Sequence, residues 1–214
     1  MIYDICTDNY SAFQIFEKNK LKPRAYFIPF QDRKSSETVS LCDERYKSNL
    51  VKVLNGKWDF KYYPKFSDMP KRFDTSIVDF DEVNVPSMWQ YTGYEKPYYI
   101  NQNYPFGRKP PKIPTDDPVG LYKTIRNGKW TPLTVDNIYN SVGVYRKKIE
   151  IFDTEKIFII SFLGCSSCLE LYVNGSFHGY SEGSHNTAEF NITDKLGKGE
   201  NEIVVVVHKW CNGT

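Results

Sequence analysis

The chain has 214 residues, of which 40% are hydrophobic and 16% aromatic, so it can bury a core of its own without disulfide staples. Its net charge of +2 gives no electrostatic reason to expect nucleic acid or an anionic membrane as a partner. Five cysteines, an N-terminus without an apolar leader and a longest apolar run of only Ile203 to Val207 predict a cytoplasmic protein with no membrane span.

Residues 1–50 show no sustained periodicity and are expected to form an irregular N-terminal arm. Four apolar residues could line one face of a short helix over 11–18, with Asn9 or Ser11 as its cap. Aromatic rings then cluster around two prolines, and we expect them to anchor the arm on another surface. These rings are Tyr26, Phe27 and Phe30.

From residue 54 onward the pattern is that of β-strands. The segment 54–63, LNGKWDFKYY, alternates apolar and polar residues as a half-buried strand does, and a second strand is predicted within 76–86. We therefore place a β-domain at residues 51–214, after the arm.

An aromatic and polar loop follows at 86–106, PSMWQYTGYEKPYYINQNYPF. Rings combined with neutral amides are the side chains that hold sugars, because a sugar presents hydroxyls around apolar C–H faces. The alternative is that the rings only pack the loop against the domain. The residues in question are Trp89, Tyr91, Tyr94, Tyr98, Tyr99, Asn101 and Asn103.

A near-repeat marks a candidate insertion. PVGLY at 118–122 recurs as SVGVY at 141–145, and only the second copy continues into alternating residues. We therefore interpret residues 119–142 as an insertion before the true strand. Asn127-Gly128 predicts a small hairpin inside it, and Pro132 would confine the second arm of that hairpin to a sheet edge.

The remaining strands follow in quick succession. The segment 142–151 alternates, whereas 156–163, KIFIISFL, is almost entirely apolar and is expected to be buried on both faces. The segment 168–180 contains the clearest hairpin, because Asn174-Gly175 suits a two-residue type I′ turn in which both residues need positive φ. Two further strands lie within the segments AEFNIT and NEIVVVVHKW. Many short strands with almost no helix predict an all-β protein, a sandwich rather than a barrel.

Two groups of residues look like chemical motifs but have simpler interpretations. Cys165 and Cys168 have C-x-x-C spacing, yet they lie at a bend with no second ligand pair, so we interpret them as small turn residues. Three histidines are interpreted as ordinary surface or edge residues rather than metal ligands: His178, His185 and His208. The sequence offers no evident pair of carboxylates of the kind a glycosidase uses, and we predict no catalytic residue in this chain.

Taken in order, five segments resemble the N-terminal sugar-binding domain of family 2 glycoside hydrolases, in particular the lac-type β-galactosidases. They are LNGKWDF, VPSMWQYTGYEKPYYINQNYPF, VGVYRKKIEI, LYVNGSFHGYSEGSHNTAEFNIT and GENEIVVVVHKWCNG. The resemblance covers roughly residues 20 to 214, apart from the insertion. It implies a jelly-roll, galactose-binding-like β-sandwich. It also implies a fragment of a longer enzyme, whose (β/α)₈ barrel carries both catalytic glutamates for retaining hydrolysis of terminal β-D-galactosides.

The resemblance also assigns two substrate-binding residues. The Asn of the family's Y-x-N-x-x-Y-P segment reaches the galactose site, and Asn101 matches it. The family's W-S-D-G-S turn, whose Asp contacts sugar and a sodium ion, corresponds to residues 210–214, so Asn212 takes the place of the Asp. A neutral amide can hydrogen-bond a hydroxyl but adds no charge to a cation, which makes Asn212 a sodium ligand without the family's charge.

No cofactor is expected on this fragment, although the resemblance implies magnesium and sodium in the parent enzyme. The expected partners are the other domains of the same polypeptide, a β-galactoside and further copies in a homo-oligomer. Three alternatives remain: a stand-alone carbohydrate-binding module, a structural piece that makes oligomer contacts, and a domain of a related β-glucuronidase or β-mannosidase.

Overall fold

The computed structural model describes residues 1–6, 8–40, 42–97, 122–126, 129–133 and 140–213, and for 122–126 and 129–133 it describes the backbone alone. The strands, in chain order, are β1 (Ile2–Asp4), β2 (Glu17–Lys18), β3 (Gly56–Tyr63), β4 (Arg72–Asp74), β5 (Asp81–Val85), β6 (Tyr122–Arg126), β7 (Lys129–Leu133), β8 (Val142–Ile151), β9 (Ile159–Phe162), β10 (Cys168–Val173), β11 (Ser176–Glu182), β12 (Ala188–Asn191) and β13 (Gly199–His208). The helical segments are α1 (Arg33–Glu37) and three short 3₁₀ turns, Asn9–Ser11, Phe66–Asp68 and Thr193–Lys195.

Seven antiparallel strands form the main sheet, in the order β2-β11-β10-β13-β8-β3-β5. Three smaller two-stranded sheets accompany it: β1 with β4, β9 with β12, and β6 with β7. In the described part of the chain, β2 and β5 are the edges of the main sheet and do not pair with each other. The prediction of an all-β sandwich is therefore confirmed, and a closed barrel is not formed.

One face of the main sheet carries an apolar core under the β9–β12 pair. Alternate residues of the central strands point to this face, since successive side chains of a strand lie on opposite sides. Ile160 of β9 and Phe190 of β12 cover this core on the side opposite the main sheet. The residues that the sheet contributes include Trp58, Phe60, Ile149, Leu169, Leu171, Val173, Ile203, Val205 and Val207.

The opposite face is covered by the β1–β4 pair. Tyr3 and Phe73 of this pair, both fully buried, pack on Val144, Tyr172 and the even-numbered valines of β13. Because this face is covered as well, every residue of β10 is buried.

The N-terminal arm differs from the prediction. No helix spans 11–18: a 3₁₀ turn ends at Ser11, and Glu17–Lys18 joins the main sheet as β2 beside β11. Pairing with a sheet edge has overridden the weak helical pattern. Tyr26 and Phe27 are exposed and do not anchor the arm, whereas the buried Tyr3 and Tyr10 do.

The apolar segment 156–163 also differs from the prediction. Its strand, β9, belongs to a two-stranded sheet with only one covered face, so Ile160 is buried while Ile159 and Leu163 are exposed. The apolar composition of this segment therefore does not indicate that β9 is buried on both faces.

Two turn predictions are confirmed. β10 and β11 are joined by Asn174-Gly175 with φ of 47° and 84°, as a type I′ turn requires. β6 and β7 pair across a two-residue connection in the register expected of a hairpin at Asn127-Gly128. The insertion at 119–142 and the domain boundary at residue 50 stay predictions, and 11 of the 24 residues of the insertion lie outside the described residues. In the part of the chain that is described, no helix has the length and apolar composition of a membrane span.

Candidate functional site

The turn that follows β13, residues 209–213, is held by two distant segments. Asn140 donates from Nδ2 to the Trp210 carbonyl over 3.0 Å and accepts from the Trp210 amide over 2.9 Å. The Lys209 amide donates to the Ser141 carbonyl, and the Asn212 amide donates to the Tyr10 carbonyl. The backbone around Asn212 is therefore fixed by hydrogen bonds on both sides.

The side chain of Asn212 is not satisfied in the same way. Both Oδ1 and Nδ2 are enclosed, and neither has a hydrogen-bond partner among the described residues. An enclosed polar group without a partner costs about 1–3 kcal/mol, so native proteins seldom retain one without a reason. The amide of Asn212 therefore keeps hydrogen-bonding capacity that no described residue uses.

Beneath this turn lies His208, which is fully buried. Its ring stacks on Tyr10 with centroids 4.4 Å apart and tilts against Phe66 at 5.2 Å. Burial lowers the pKa of His208 to about 3, so the imidazole is neutral at physiological pH. The interpretation of His208 as a surface or edge histidine is wrong, because its side of β13 is covered by the N-terminal segment.

Two buried carboxylates lie on the same side of the sheet. Glu182 accepts from the Tyr180 hydroxyl over 2.7 Å, and its other oxygen would lie 2.8 Å from a Cβ at Gly213, so a larger residue there would displace the carboxylate. Burial raises the pKa of Glu182. Burial also raises the pKa of Glu170 to about 7, although the Tyr172 hydroxyl donates to it over 2.8 Å.

Two rings fix the start of the aromatic loop against the sandwich. Trp89 is only 5% exposed, and a Cβ at Gly143 would lie 3.0 Å from its Cε3, so the missing side chain makes room for the indole. Tyr94 meets Phe60 edge to face at 4.9 Å. Tyr91, in contrast, is 79% exposed. The packing interpretation is therefore confirmed for Trp89 and Tyr94 and is wrong for Tyr91.

A carboxylate that the sequence analysis did not single out connects this loop to the turn. Glu95 accepts from Trp89 Nε1 over 2.9 Å and from Gln90 Nε2 over 3.1 Å, and it pairs with Lys209. An acid next to an aromatic residue in a polar loop gives no periodic signal, so sequence alone could not identify it.

Asn101 lies outside the described residues, as do Tyr98, Tyr99 and Asn103, so its position relative to Asn212 stays a prediction. Among the described residues, no group of three or more His, Cys, Asp and Glu side chains could hold a metal ion. Hard cations take about six or more oxygen ligands, and the single neutral oxygen of Asn212 is far from such a set. Sodium at Asn212 therefore also stays a prediction. Burial raises the pKa of the thiols of Cys165 and Cys168, which keeps them protonated.

Comparison with known proteins places this geometry in a family. The family model described as "Glycosyl hydrolases family 2, sugar binding domain" matches residues 51–131 and 125–214, which is more than half of the chain. The chain belongs to this family. The match covers every strand of the main sheet except β2, together with the aromatic loop and the turn with Asn212.

Relatives of this family 2 domain agree with that assignment. The β-galactosidase of Actinobacillus pleuropneumoniae is 35% identical over 196 residues, which is 92% of this chain and 17% of that enzyme. The β-galactosidase of Vibrio vulnificus strain CMCP6 is 36% identical over 75% of this chain and 14% of that enzyme. The chain thus spans about a sixth of the length of these relatives. A solved β-D-mannosidase from Dictyoglomus thermophilum aligns with 73% of this chain and 15% of its own, at 21% identity and a TM-score of 0.44, too low to support an argument.

Proposed function

We propose that this family 2 domain is an accessory sugar-binding part of a β-galactosidase. It supplies substrate contacts to an active site whose catalytic glutamates lie elsewhere in the same polypeptide. The relatives that match 92% and 75% of the chain are named β-galactosidases, which favours galactosides over the glucuronides and mannosides of other family 2 enzymes.

The enclosed amide of Asn212 is the observation that carries this proposal. Its backbone is fixed on both sides, yet its side-chain oxygen and nitrogen have no partner among the described residues. An amide presents one donor group and one acceptor, which matches the hydroxyl groups of a sugar. Asn101 joins it in the proposal on the strength of the family resemblance.

Kinetics of the full polypeptide test this function. Asn101→Ala is expected to lower kcat/KM for a nitrophenyl galactoside by tenfold or more, because a lost contact in a preorganised site weakens the transition state. Met88→Ala, which truncates an exposed side chain of the same loop, serves as the matched control. Unchanged turnover by Asn101→Ala would remove that residue from the substrate site.

The 214-residue chain alone is proposed to be inactive, since the family resemblance implies that both catalytic glutamates lie elsewhere in the polypeptide and two amides are only part of a pocket. Calorimetry with galactose or lactose should therefore show no measurable binding. Saturable binding by the chain alone would instead support a stand-alone carbohydrate-binding module.

The finer features of the proposal follow the same resemblance. The parent enzyme is proposed to be cytoplasmic and homo-oligomeric, and the sandwich to have jelly-roll connectivity. Five free cysteines suit a reducing compartment. Sodium and magnesium are proposed for the parent enzyme alone, and activity measured with and without each ion tests that part.

A further inference from the structure

The carboxylate of Glu95 has four donors around it, and they are divided between its two oxygens. Oε2 accepts from Trp89 Nε1, from Gln90 Nε2 and, over 3.3 Å, from the Ser141 hydroxyl. Oε1 pairs with the ammonium of Lys209. The donors from its own loop orient the carboxylate, so that one oxygen is left facing Lys209.

These contacts join three segments that are far apart in the sequence. Trp89 and Gln90 belong to the aromatic loop, Ser141 precedes β8, and Lys209 begins the turn that carries Asn212. The Ser141 carbonyl also accepts from the Lys209 amide. The ion pair and this backbone hydrogen bond therefore both hold the first residue of the turn. A shift of Glu95 would therefore be transmitted to the turn directly.

The pair is well shielded from water. The side chains of Lys209 and Glu95 are 11% and 13% exposed. Burial lowers the pKa of Lys209, and the charge of Glu95 acts in the opposite direction. A shielded, hydrogen-bonded pair holds its geometry better than an exposed one, and removing one partner leaves the other charge uncompensated.

We propose that Glu95 is a positioning residue for substrate binding: it sets the orientation of the turn that presents Asn212. The inference rests on the proposed function, because it needs Asn212 to contact substrate. It assigns Glu95 no contact with sugar of its own. Its effect on turnover must therefore pass through Asn212.

A double-mutant cycle on kcat/KM in the full polypeptide tests this. Glu95→Gln keeps the size and one acceptor but removes the charge, and it is expected to lower kcat/KM about tenfold, because displacements near 1 Å can cost up to about a hundredfold. In an Asn212→Ala background the same change should cost less than about twofold, since the residue it orients is gone. Equal losses in both backgrounds, or no loss in either, would overturn the proposal.

Lys209→Met provides a second way to break the pair, should Glu95→Gln fail to fold, and it is expected to show the same coupling to Asn212. Glu189→Gln is the control, because it weakens another ion pair with a shielded carboxylate, the pair with Arg24 on the β12 side of the domain. Its effect on kcat/KM should not depend on Asn212.

The single variants distinguish the proposed substrate contact of Asn212 from the positioning role of Glu95. If Asn212→Ala leaves kcat/KM unchanged, the proposed role of Asn212 fails. If Asn212→Ala lowers kcat/KM while both Glu95→Gln and Lys209→Met leave it unchanged, only the positioning role of Glu95 fails.

Discussion

The central strands of the seven-stranded sheet are buried on both faces, but with different side chains. The face under β9–β12 is apolar along its central strands, with Leu171 and Val205 as examples. The face under β1–β4 mixes valines with Glu170, Glu202 and His208, all buried. The first face requires only that apolar side chains pack together. The second face also requires specific contacts between its buried polar side chains and the N-terminal segment.

The contacts of Glu202 show what this dependence means. Its carboxylate accepts from the Tyr3 hydroxyl and from the Thr75 hydroxyl, each over 2.8 Å. Both donors belong to or follow the covering pair of strands. A buried carboxylate without such donors would cost several kcal/mol, so the covering layer and the sheet specify each other.

The largest effect is expected on the apolar face. Leu171→Ala removes a fully buried side chain from the middle of the sheet and should lower the free energy of unfolding by about 3 kcal/mol, through lost burial and a cavity. Denaturant unfolding measures it. Leu163→Ala, at an exposed leucine, is the control and should cost less than about 1 kcal/mol. Similar losses in both variants would contradict this description of the core.

On the polar face, stability should depend on pH in two opposing ways. The folded-state pKa of Glu170 is about 7 against an ordinary value of 4.5, so the folded state retains that proton longer and stability falls as pH rises from about 4.5 to 7. His208, with a pKa of about 3 against 6.5, makes stability rise with pH from about 3 to 6.5. The two slopes oppose each other between pH 4.5 and 6.5.

Single substitutions separate these slopes. Glu170→Gln should keep the rise in the free energy of unfolding that is due to His208. It should remove a decrease in that free energy on the order of 3 kcal/mol between pH 4.5 and 7. His208→Phe keeps a ring against Tyr10 and should leave only a fall, due to Glu170 and to Glu182, whose pKa burial also raises. Urea unfolding at intervals from pH 4 to 8 measures both, and an unchanged profile in either variant would contradict the corresponding assignment.

A smaller effect is expected where one hydroxyl is removed from the polar face. Tyr3→Phe deletes one donor to Glu202 and should cost about 1–2 kcal/mol, because the carboxylate stays buried with fewer partners. Thermal unfolding checks the change against Tyr91→Phe, whose hydroxyl is on an exposed ring. Equal melting temperatures for the two variants would show that the Tyr3 bond is unimportant.

The difference between the faces also explains which features could be predicted from the sequence. The Asn174-Gly175 turn was predictable because the backbone conformation of a type I′ turn selects these residues locally. The alternation of Trp58 and Phe60 in β3 was predictable for a similar reason, since a strand with one covered face leaves a period of two. Such features depend on neighbours in the chain.

Other features depend on partners that are distant in the sequence. Glu17–Lys18 forms a strand only because the edge of β11 is there to pair with it, and Ile159 is exposed because β9 has one covered face. The buried charges of Glu170 and Glu202 follow from the covering layer. At the candidate site, resemblance predicted Asn212, but its anchoring through Asn140 and Glu95 required coordinates.

The most direct measurement concerns Asn212 itself. If the partner of its amide comes from outside this chain, Asn212→Ala in the 214-residue chain removes an unpaired, enclosed group. The free energy of unfolding should then stay the same or rise by up to about 1 kcal/mol. A loss of more than about 1 kcal/mol would show that the chain itself satisfies the amide, and would contradict the account of Asn212 as a residue kept for a sugar.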